Sequence, residues 1–412
     1  SPVGKAFDSL QNKWKVSKAL ALDTPIPTPS GWTTMGEISV GDVVFDENGN
    51  PCSVIGATPV QWNRKCFEVT FSDDTKIVAD AEHLWMTIYR GRAGVRTTEQ
   101  IKETLRESTR GDANHKIPVA GALQTATAEL PIPPYALGVW LGDGDSKTAR
   151  VTKGASDVDE LISHLEQSGV ACGKRRQDKR SSAVTFTLRK GESGCSRGHD
   201  DSRTGPKGCA DCANLSRRLR RVGETLPPVL QPSIQERLRN GKLLGNKHIP
   251  AEYLRASESQ RRELICGLMD TDGCVSVDGL CSFTTTTPAL RDGFIELCRS
   301  LGYKPTMNEF VPTFNGKQGK TAWVIHFKAY ADKPVFKLER KMQRLACAPS
   351  TRQRSQTRAI ASIEQIDSVP VRCIAVSSES NLYLAGVGMV PTHNTALSPA
   401  VHVNNVMSNF VF

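Results

Sequence analysis

Two similar segments in the middle of the chain constrain its fold most. "ALGVWLGDG" spans Ala136–Gly144 and "ICGLMDTDG" spans Ile265–Gly273, and both combine an apolar helical run, a glycine at the third position and an Asp-Gly ending. Small residues at helical spacing let two helices pack closely, so that the acidic residues at their ends lie near each other. The sequence therefore predicts a helix pair with Asp143 and Asp272 together at one end.

A pair of carboxylates in this position suits the chemistry of divalent metals. Hard cations such as Mg²⁺ prefer oxygen ligands, and they assist phosphodiester cleavage by activating water or by stabilising the leaving oxygen. Either segment alone also fits an amphipathic core helix capped by Asp-Gly. Because the two segments match, the sequence favours a site for a divalent metal such as Mg²⁺ formed by Asp143 and Asp272.

The matched segments resemble the two motifs of LAGLIDADG homing endonucleases. "NKHIP" at Asn246–Pro250 resembles the lysine block of that family, which makes Lys247 a candidate active-site lysine, and "LCRSLGYKP" at Leu297–Pro305 resembles its later helical block. The resemblance implies an α+β domain with pseudo-twofold αββ repeats. It also implies that this domain cuts double-stranded DNA, with Asp143 and Asp272 binding the metal.

Length and charge agree with more than one domain and an anionic partner. The chain has 412 residues and a net charge of +10, whereas a single core stops growing at roughly 250–300 residues. A basic balance most often indicates nucleic acid. No apolar run approaches the roughly 20 residues of a membrane span and the first residues lack a secretory signal. We expect a cytoplasmic protein of a bacterial or phage-infected cell, without a membrane partner.

Short alternating segments broken by Gly, Asp and Asn indicate an all-β unit at both ends of the chain. Between them the pattern changes to helices and charge clusters. The simplest organisation is a β domain interrupted by a mixed domain. The predicted divisions are 1–18 as an upstream segment, 19–130 and 351–394 as the two parts of the β domain, 131–350 as the inserted domain, and 395–412 as a downstream segment.

A cysteine-rich loop lies between the two matched segments. Cys195, His199, Cys209 and Cys212 are spaced C-x3-H-x9-C-x2-C on a Gly-rich stretch, which suits tetrahedral structural zinc. The alternative is a flexible loop with reduced thiols. Basic clusters before and after loop 195–212 favour contact with the DNA backbone over a merely solvated face.

The ends of the chain resemble inteins, the protein-splicing elements of the Hedgehog-intein type. "ALALDTPIPTPSGW" at Ala19–Trp32 resembles the first intein block, and "ADAEHLWMT" at Ala79–Thr87 resembles the block whose histidine, here His83, assists cleavage. "VRCIAVSSESNLYLAGVGMV" at Val371–Val390 and the following "VPTHNT" resemble the last two blocks. The resemblance implies an all-β horseshoe with an inserted endonuclease, of the kind found in phage or mycobacterial helicases.

One departure from the intein pattern carries information. Ala19 stands where most inteins have the Cys or Ser nucleophile, and a methyl group cannot attack a peptide bond. Either the position was changed to block a class 1 intein, or the chain resembles class 3 inteins, whose first nucleophile is internal. Trp85, Cys373 and Thr395 occupy the three positions that mark class 3. A second departure is Ser380, where many inteins carry a histidine.

The class 3 resemblance assigns roles in the first splicing step. Cys373 attacks the carbonyl of Lys18 as a thiolate, and His83 protonates the leaving nitrogen of Ala19. Because Trp85 has no acid-base group, we expect it to shape the pocket around Cys373.

The same resemblance assigns the later steps. Thr395 takes the acyl group from Cys373, and proximity compensates for its weak nucleophilicity. Asn394 then cyclises with help from His393 and releases the intein. Splicing needs no cofactor, its substrates are the flanking segments in cis, and the chain is expected to be a monomer.

Two alternative hypotheses about the function of the chain remain open. A standalone DNA endonuclease leaves the His393-Asn394-Thr395 triplet unexplained, and a zinc-containing DNA-binding protein without enzymatic activity leaves the paired Asp-Gly motifs unexplained. For a homing endonuclease the DNA partner would be the host allele without the insertion, because the insertion splits the recognition sequence.

Overall fold

The computed structural model of the protein describes residues 18–106, 113–177, 181–190, 232–277, 279–314, 317–345 and 356–394. Their buried apolar side chains form two large clusters. One cluster draws on residues between Leu20 and Ile117 and between Ile360 and Val390, whereas the other draws on residues between Ile132 and Leu345. A β-rich unit built from both ends is thus interrupted by an α+β unit, which confirms the predicted mixed fold class.

The first part of the β-rich unit consists of short strands in which buried and more exposed residues often alternate. In β5, for instance, Cys52 and Val54 are buried, whereas Ser53 and Ile55 are exposed. The elements are β1 (Leu20–Ala21), β2 (Pro25–Thr28), β3 (Gly31–Thr34), β4 (Val43–Phe45), β5 (Pro51–Ala57), β6 (Cys66–Phe71), β7 (Lys76–Asp80), β8 (Leu84–Tyr89), β9 (Arg92–Thr97), helix α1 (Thr98–Thr104) and β10 (His115–Pro118).

The α+β unit contains two related halves. In chain order its elements are α2 (Pro134–Asp143), β11 (Arg150–Gly154), α3 (Ala155–Gln167), β12 (Val170–Cys172), β13 (Arg176–Gln177), β14 (Ala183–Lys190), α4 (Ile234–Asn240), α5 (Ala251–Leu254), α6 (Glu258–Thr271), β15 (Gly273–Val275), β16 (Leu280–Thr285), α7 (Pro288–Ser300), β17 (Thr306–Phe310), β18 (Thr313–Phe314), β19 (Lys317–Gln318), β20 (Ala322–Lys328) and α8 (Glu339–Met342). The sheet orders β11-β14-β12 and β16-β20-β17 correspond. Each half also has a second helix, α3 or α7, between its strands.

The chain then returns to the β-rich unit. Its last strands are β21 (Thr357–Ile366), β22 (Val371–Arg372), β23 (Ile374–Val376), β24 (Leu382–Ala385) and β25 (Val390–His393). The main sheet has the order β22-β1-β7-β6-β21-β10-β8-β9. One sheet therefore combines six strands from the first part of the chain with β21 and β22 from the last part, and β1 lies between β7 and β22.

Helices α2 and α6 cross at their matched glycines. A Cβ atom on Gly138 would lie 2.4 Å from the carbonyl oxygen of Leu264, and one on Gly267 would lie 2.2 Å from that of Tyr135. Helix α6 starts at a capping box in which Ser257 and Gln260 satisfy each other's backbone N–H groups. The absence of side chains at the crossing brings the C-terminal ends of both helices together.

The two units contact each other through α7 and the segment before α2. The backbone N–H of Leu123 donates to the carbonyl of Ser300 over 2.9 Å. The buried guanidinium of Arg261 donates to the carbonyls of both residues. Arg299 of α7 donates to the carbonyl of Val387 over 3.2 Å, in the turn between β24 and β25.

Replacing Gly138 by Ala should destabilise the α+β unit by about 3 kcal/mol, because the added methyl group must displace backbone of the facing helix. The matched control is Gly154→Ala, where nothing lies within 4 Å of an added Cβ and φ is −61°. Denaturant midpoints of the two variants provide the measurement. Equal midpoints would show that the helix crossing is not this tight.

Candidate functional site

The start of the β-rich unit meets the segment that contains Cys373. Leu20 pairs with Arg372 and Ala21 with Val371 in antiparallel register, so the same register sets Ala19 opposite Cys373. Both side chains are buried and share a small apolar cluster with Cys66 and Val371. The predicted internal nucleophile and the predicted junction are thus close neighbours.

The peptide bond between Lys18 and Ala19 has a polar partner on each side. Nδ1 of His83 lies 2.8 Å from the carbonyl oxygen of Lys18. The N–H of Ala19 donates to Oδ1 of Asp80 over 3.3 Å, and Arg64 holds the other carboxylate oxygen at 3.0 Å. The imidazole therefore faces the carbonyl oxygen, and a carboxylate that the sequence analysis missed faces the nitrogen.

Burial fixes the state of His83. Desolvation lowers the pKa of His83 to about 3, so its ring is neutral near pH 7. Since a carbonyl can only accept, Nδ1 carries the proton and Nε2 accepts from the hydroxyl of Thr392. Trp85 packs edge-on against His83 with centroids 4.7 Å apart, and its Nε1 donates to Thr98 over 3.0 Å. Its ring thus supports the histidine; the role around Cys373 stays a prediction.

Cys373 is held by its backbone. Its N–H donates to Oγ1 of Thr58 over 3.1 Å, and its carbonyl accepts from the N–H of the same threonine over 2.9 Å. Cys373 is 1% exposed, and its Sγ lies 3.5 Å from the carbonyl oxygen of Ile374. A nucleophile here is shielded from bulk water.

Asn394 lies at the end of the β24–β25 hairpin. Its N–H donates to the carbonyl of Asn381 over 2.8 Å, and Nδ2 donates to the carbonyl of Val376 over 3.3 Å. Its buried Oδ1 has no hydrogen-bond partner within the described part of the chain. His393 directs Nδ1 at the carbonyl oxygen of Asn394 over 2.7 Å, and burial lowers the pKa of His393 to about 4.

Ser380, which stands where the intein resemblance predicts a histidine, supports the turn before β24. Its Oγ donates to Oε2 of Glu47 over 2.6 Å and accepts from the N–H of Leu382 over 3.2 Å. Burial raises the pKa of the Glu47 carboxyl. Because the adjacent Asn381 binds the N–H of Asn394, this pair steadies the junction through the backbone.

A second candidate site lies where α2 and α6 end. Asp143 accepts from the buried ammonium of Lys153 over 2.8 Å. Burial and the nearby Asp143 raise the pKa of Asp272 to about 6. Lys247 donates to the carbonyl of Gly142 over 2.9 Å. Burial lowers the pKa of Lys247, and the nearby Asp272 and Asp143 partly offset this shift. The two carboxylates and Lys247 are therefore brought together.

The donor set at this second site fits magnesium. Two carboxylates that repel each other in a buried place offer the oxygen ligands that a hard divalent cation pairs with, and Mg²⁺ commonly keeps several waters of its own. Within the ranges described above, no cluster of three or more His, Cys, Asp or Glu side chains is arranged for a metal. Asp143 and Asp272 are the two residues that would hold the cation.

Several predicted residues lie outside the described residues. They are Thr395 and the four predicted zinc ligands Cys195, His199, Cys209 and Cys212. Of the basic clusters around loop 195–212, Lys174, Arg175 and Arg176 are described and are exposed.

Among the described helices, none is both long and apolar enough to cross a membrane.

The site residues that the sequence analysis missed include Asp80, Thr392, Glu47 and Lys153. Asp80 stands three positions before His83 in the block already quoted, and Thr392 directly precedes His393, so both had a local signal. Glu47 and Lys153 had none, because each reaches its partner only through the tertiary fold.

Comparison with known proteins relates the chain to mycobacterial helicases. No protein-family model matches it. The replicative DNA helicase DnaB of Mycobacterium intracellulare is 38% identical over 406 residues, covering 93% of this chain and 59% of that protein. The replicative DNA helicase DnaB of Mycobacterium leprae (strain TN) is 52% identical over 87 residues, 21% of this chain and 14% of that protein. The chain is similar to mycobacterial DnaB helicases. This confirms the predicted helicase likeness, although the chain spans only 59% of the first relative's length.

Solved structures with partial similarity include inteins and an endonuclease. The Msm DnaB1 intein splicing domain bound with zinc has a TM-score of 0.28 and 18% identity, covering 91% of this chain and 100% of that one. The MchDnaB-1 intein has a TM-score of 0.26, 18% identity and the same coverage. I-DmoI in complex with DNA and Mn has a TM-score of 0.23 and 13% identity, covering 48% of this chain and 89% of that one. Because all these TM-scores are below 0.5, the proposed function rests on the site residues themselves.

Stability should depend on pH through His83. Its pKa is about 3 when folded and about 6.5 when unfolded, so the unfolded chain binds more protons between these values and stability falls as pH drops through this window. We expect the denaturant midpoint of the wild type to fall from pH 7 to pH 4, and to fall less steeply in His83→Gln. Parallel pH profiles of the two proteins would contradict this assignment.

Proposed function

We propose that this protein excises itself by protein splicing in the class 3 manner. The observation that carries the proposal is the peptide bond from Lys18 to Ala19, whose oxygen faces His83, whose nitrogen faces Asp80 and which adjoins Cys373. A solvated turn or a purely structural β-sheet requires no such arrangement. The second junction, at Asn394, lies on the hairpin that also contributes Thr392 to His83.

In the first step, Sγ of Cys373 forms a bond to the carbonyl carbon of Lys18 and the bond to the nitrogen of Ala19 breaks. His83 donates a hydrogen bond to the oxygen, where negative charge develops. The thiol proton ends on the amine of Ala19, and Asp80 is positioned to pass it on because it already binds that nitrogen. The upstream segment is then a thioester on Cys373.

In the following steps the hydroxyl of Thr395 takes the acyl group, and Nδ2 of Asn394 attacks its own carbonyl carbon. His393 donates to the oxygen of that carbonyl, as His83 does at the first junction. The backbone N–H of Asn394 is held by the carbonyl of Asn381, and its Nδ2 by the carbonyl of Val376, which reduces the entropy that cyclisation must overcome. An oxygen-to-nitrogen shift then joins Lys18 to Thr395.

Splicing should depend on Cys373 and not on residue 19. Cys373→Ala is expected to abolish ligation, whereas Ala19→Cys is not required for a product in which Lys18 is joined to Thr395. Mass spectrometry of freshly produced full-length chain measures both. Ligated product from Cys373→Ala would refute the class 3 proposal, and ligation only after Ala19→Cys would indicate an inactivated class 1 intein instead.

We further propose that the α+β unit cleaves double-stranded DNA. The support is the convergence of Asp143, Asp272 and Lys247 at the foot of the α2–α6 pair. When bound, magnesium would activate water or stabilise the leaving oxygen. Lys153 holds Asp143 in place, and exposed basic residues such as Arg176 supply contacts to the phosphate backbone. The DNA would be the host gene without the insertion.

Structural zinc on loop 195–212 forms part of the same proposal. Its support is the spacing of Cys195, His199, Cys209 and Cys212, four soft or borderline ligands without an open coordination position. Since the loop belongs to the inserted unit, zinc would stabilise the endonuclease and leave splicing unaffected. We also propose that the chain acts as a monomer.

DNA cleavage should require both aspartates. Asp143→Asn and Asp272→Asn are each expected to remove at least one strand cut, because each deletes a charged ligand, while DNA binding persists and weakens steeply with salt. The assay uses a plasmid with the uninterrupted host junction and magnesium, and Asp159→Asn, an exposed carboxylate on α3, is the matched control. Wild-type cleavage retained by either variant would refute the assignment; an inactive wild type would refute DNA cleavage by this unit.

A further inference from the structure

The side chain of Lys18 reaches the opposite end of the candidate splicing site. Its ammonium donates to the carbonyl oxygen of Asn394 over 3.3 Å, although the two residues are 376 positions apart in the chain. The carbonyl of Lys18 itself is the one that His83 binds. One residue of the upstream flank therefore contacts both reaction centres, the first through its backbone and the last through its side chain.

Lys18 interacts electrostatically with Cys373, His83 and His393. Burial lowers the pKa of the Lys18 ammonium, and the electrostatic interaction with Cys373 raises it. At both His83 and His393, the positive charge of Lys18 adds to burial in lowering the histidine pKa. Because Lys18 is half-buried, its charge is screened less by solvent and salt than a charge at an open surface would be.

We propose that Lys18 is a catalytic residue for the cyclisation of Asn394, supplied by the flank that is being spliced. This inference rests on the proposed splicing function. In the step concerned, Nδ2 of Asn394 bonds to the carbonyl carbon, the bond to the nitrogen of residue 395 breaks, and one Nδ2 proton is transferred to that nitrogen. Lys18 loses no proton; its ammonium and Nδ1 of His393 both hydrogen-bond the oxygen while it carries negative charge.

The contact favours the transition state over the ground state. The oxygen of Asn394 is a neutral carbonyl before attack and an oxyanion afterwards, so a fixed ammonium binds it more strongly as the reaction proceeds. His393 is neutral because burial lowers its pKa to about 4, and it offers a hydrogen bond without a full charge. Lys18 adds the positive charge that the histidine lacks.

This arrangement makes cyclisation depend on the upstream flank. Lys18 stays attached to the protein as a peptide, then as a thioester on Cys373, then as an ester on Thr395. If the flank is lost by hydrolysis of the thioester, the ammonium leaves with it. Release at Asn394 then slows, and the residue before the first junction becomes a determinant of splicing specificity.

The test isolates cyclisation in the full-length chain carrying Cys373→Ala, where Lys18 remains joined to Ala19. Lys18→Met keeps the length of the side chain and removes its charge. Loss of one oxyanion donor costs roughly 10²–10³-fold in an enclosed site; because this contact is long and half-buried, we expect cleavage after Asn394 to slow about tenfold. Lys18→Arg should restore most of the rate, and Lys76→Met, at an exposed pair with Glu68, is the matched control.

Two further readouts separate charge from structure. Added salt should slow cleavage with Lys18 and have little effect with Met at this position, and in the chain with intact Cys373 the Lys18→Met change should cause the branched ester to accumulate. Equal cleavage rates for Lys18→Met and Lys76→Met would overturn the inference. If cleavage in the Cys373→Ala chain is too slow to measure, the inference would be overturned by a Lys18→Met chain with intact Cys373 in which the branched ester does not accumulate. A wild-type chain that does not splice would instead refute the proposed function.

Discussion

Strand β1 has only two residues, and its antiparallel pairing with β7 and β22 sets the geometry of the proposed splicing site. Leu20 faces Ala79 on one side and Arg372 on the other. A slip of one residue in this pairing would bring a different peptide bond next to Asp80 and Cys373. The register therefore places the bond before Ala19 between Asp80, which follows Ala79, and Cys373, which follows Arg372.

Burial then determines which chemistry the groups around these junctions can perform. His83 and His393 are both neutral near pH 7 because desolvation lowers their pKa values to about 3 and about 4. Each imidazole consequently offers one N–H, and each directs it at the oxygen of a carbonyl. At both proposed junctions, a neutral histidine therefore donates a hydrogen bond to the carbonyl oxygen. They differ in the charged group beside it, a carboxylate on the nitrogen at the first junction and an ammonium on the oxygen at the second.

The sequence predicted what depends on local pattern and on motif resemblance. The glycines of the matched helices predicted the crossing of α2 and α6, since a glycine at the third position of each segment has a direct steric meaning. The strand-rich ends and the inserted mixed unit followed from the change in periodicity. What could not be predicted were contacts that the tertiary fold creates. Glu47 and Ser380 are 333 positions apart, and Lys18 and Asn394 are 376 apart, so no spacing in the chain indicates that they meet.

The α+β unit can be accommodated because its ends leave and re-enter one sheet at neighbouring strands. Ile117 of β10 pairs with Arg358 of β21, and Pro118 pairs with Thr357, so the insertion requires no break in the β-rich core. The insert nevertheless reaches the β24–β25 hairpin, because Arg299 binds the carbonyl of Val387. Arg358 binds the next carbonyl, that of Gly388, over 2.9 Å from within the β-rich unit, where its buried ion pair with Asp73 fixes it. The turn before Asn394 is therefore held from both units, and losing the insert would remove one of these two contacts while the other remains.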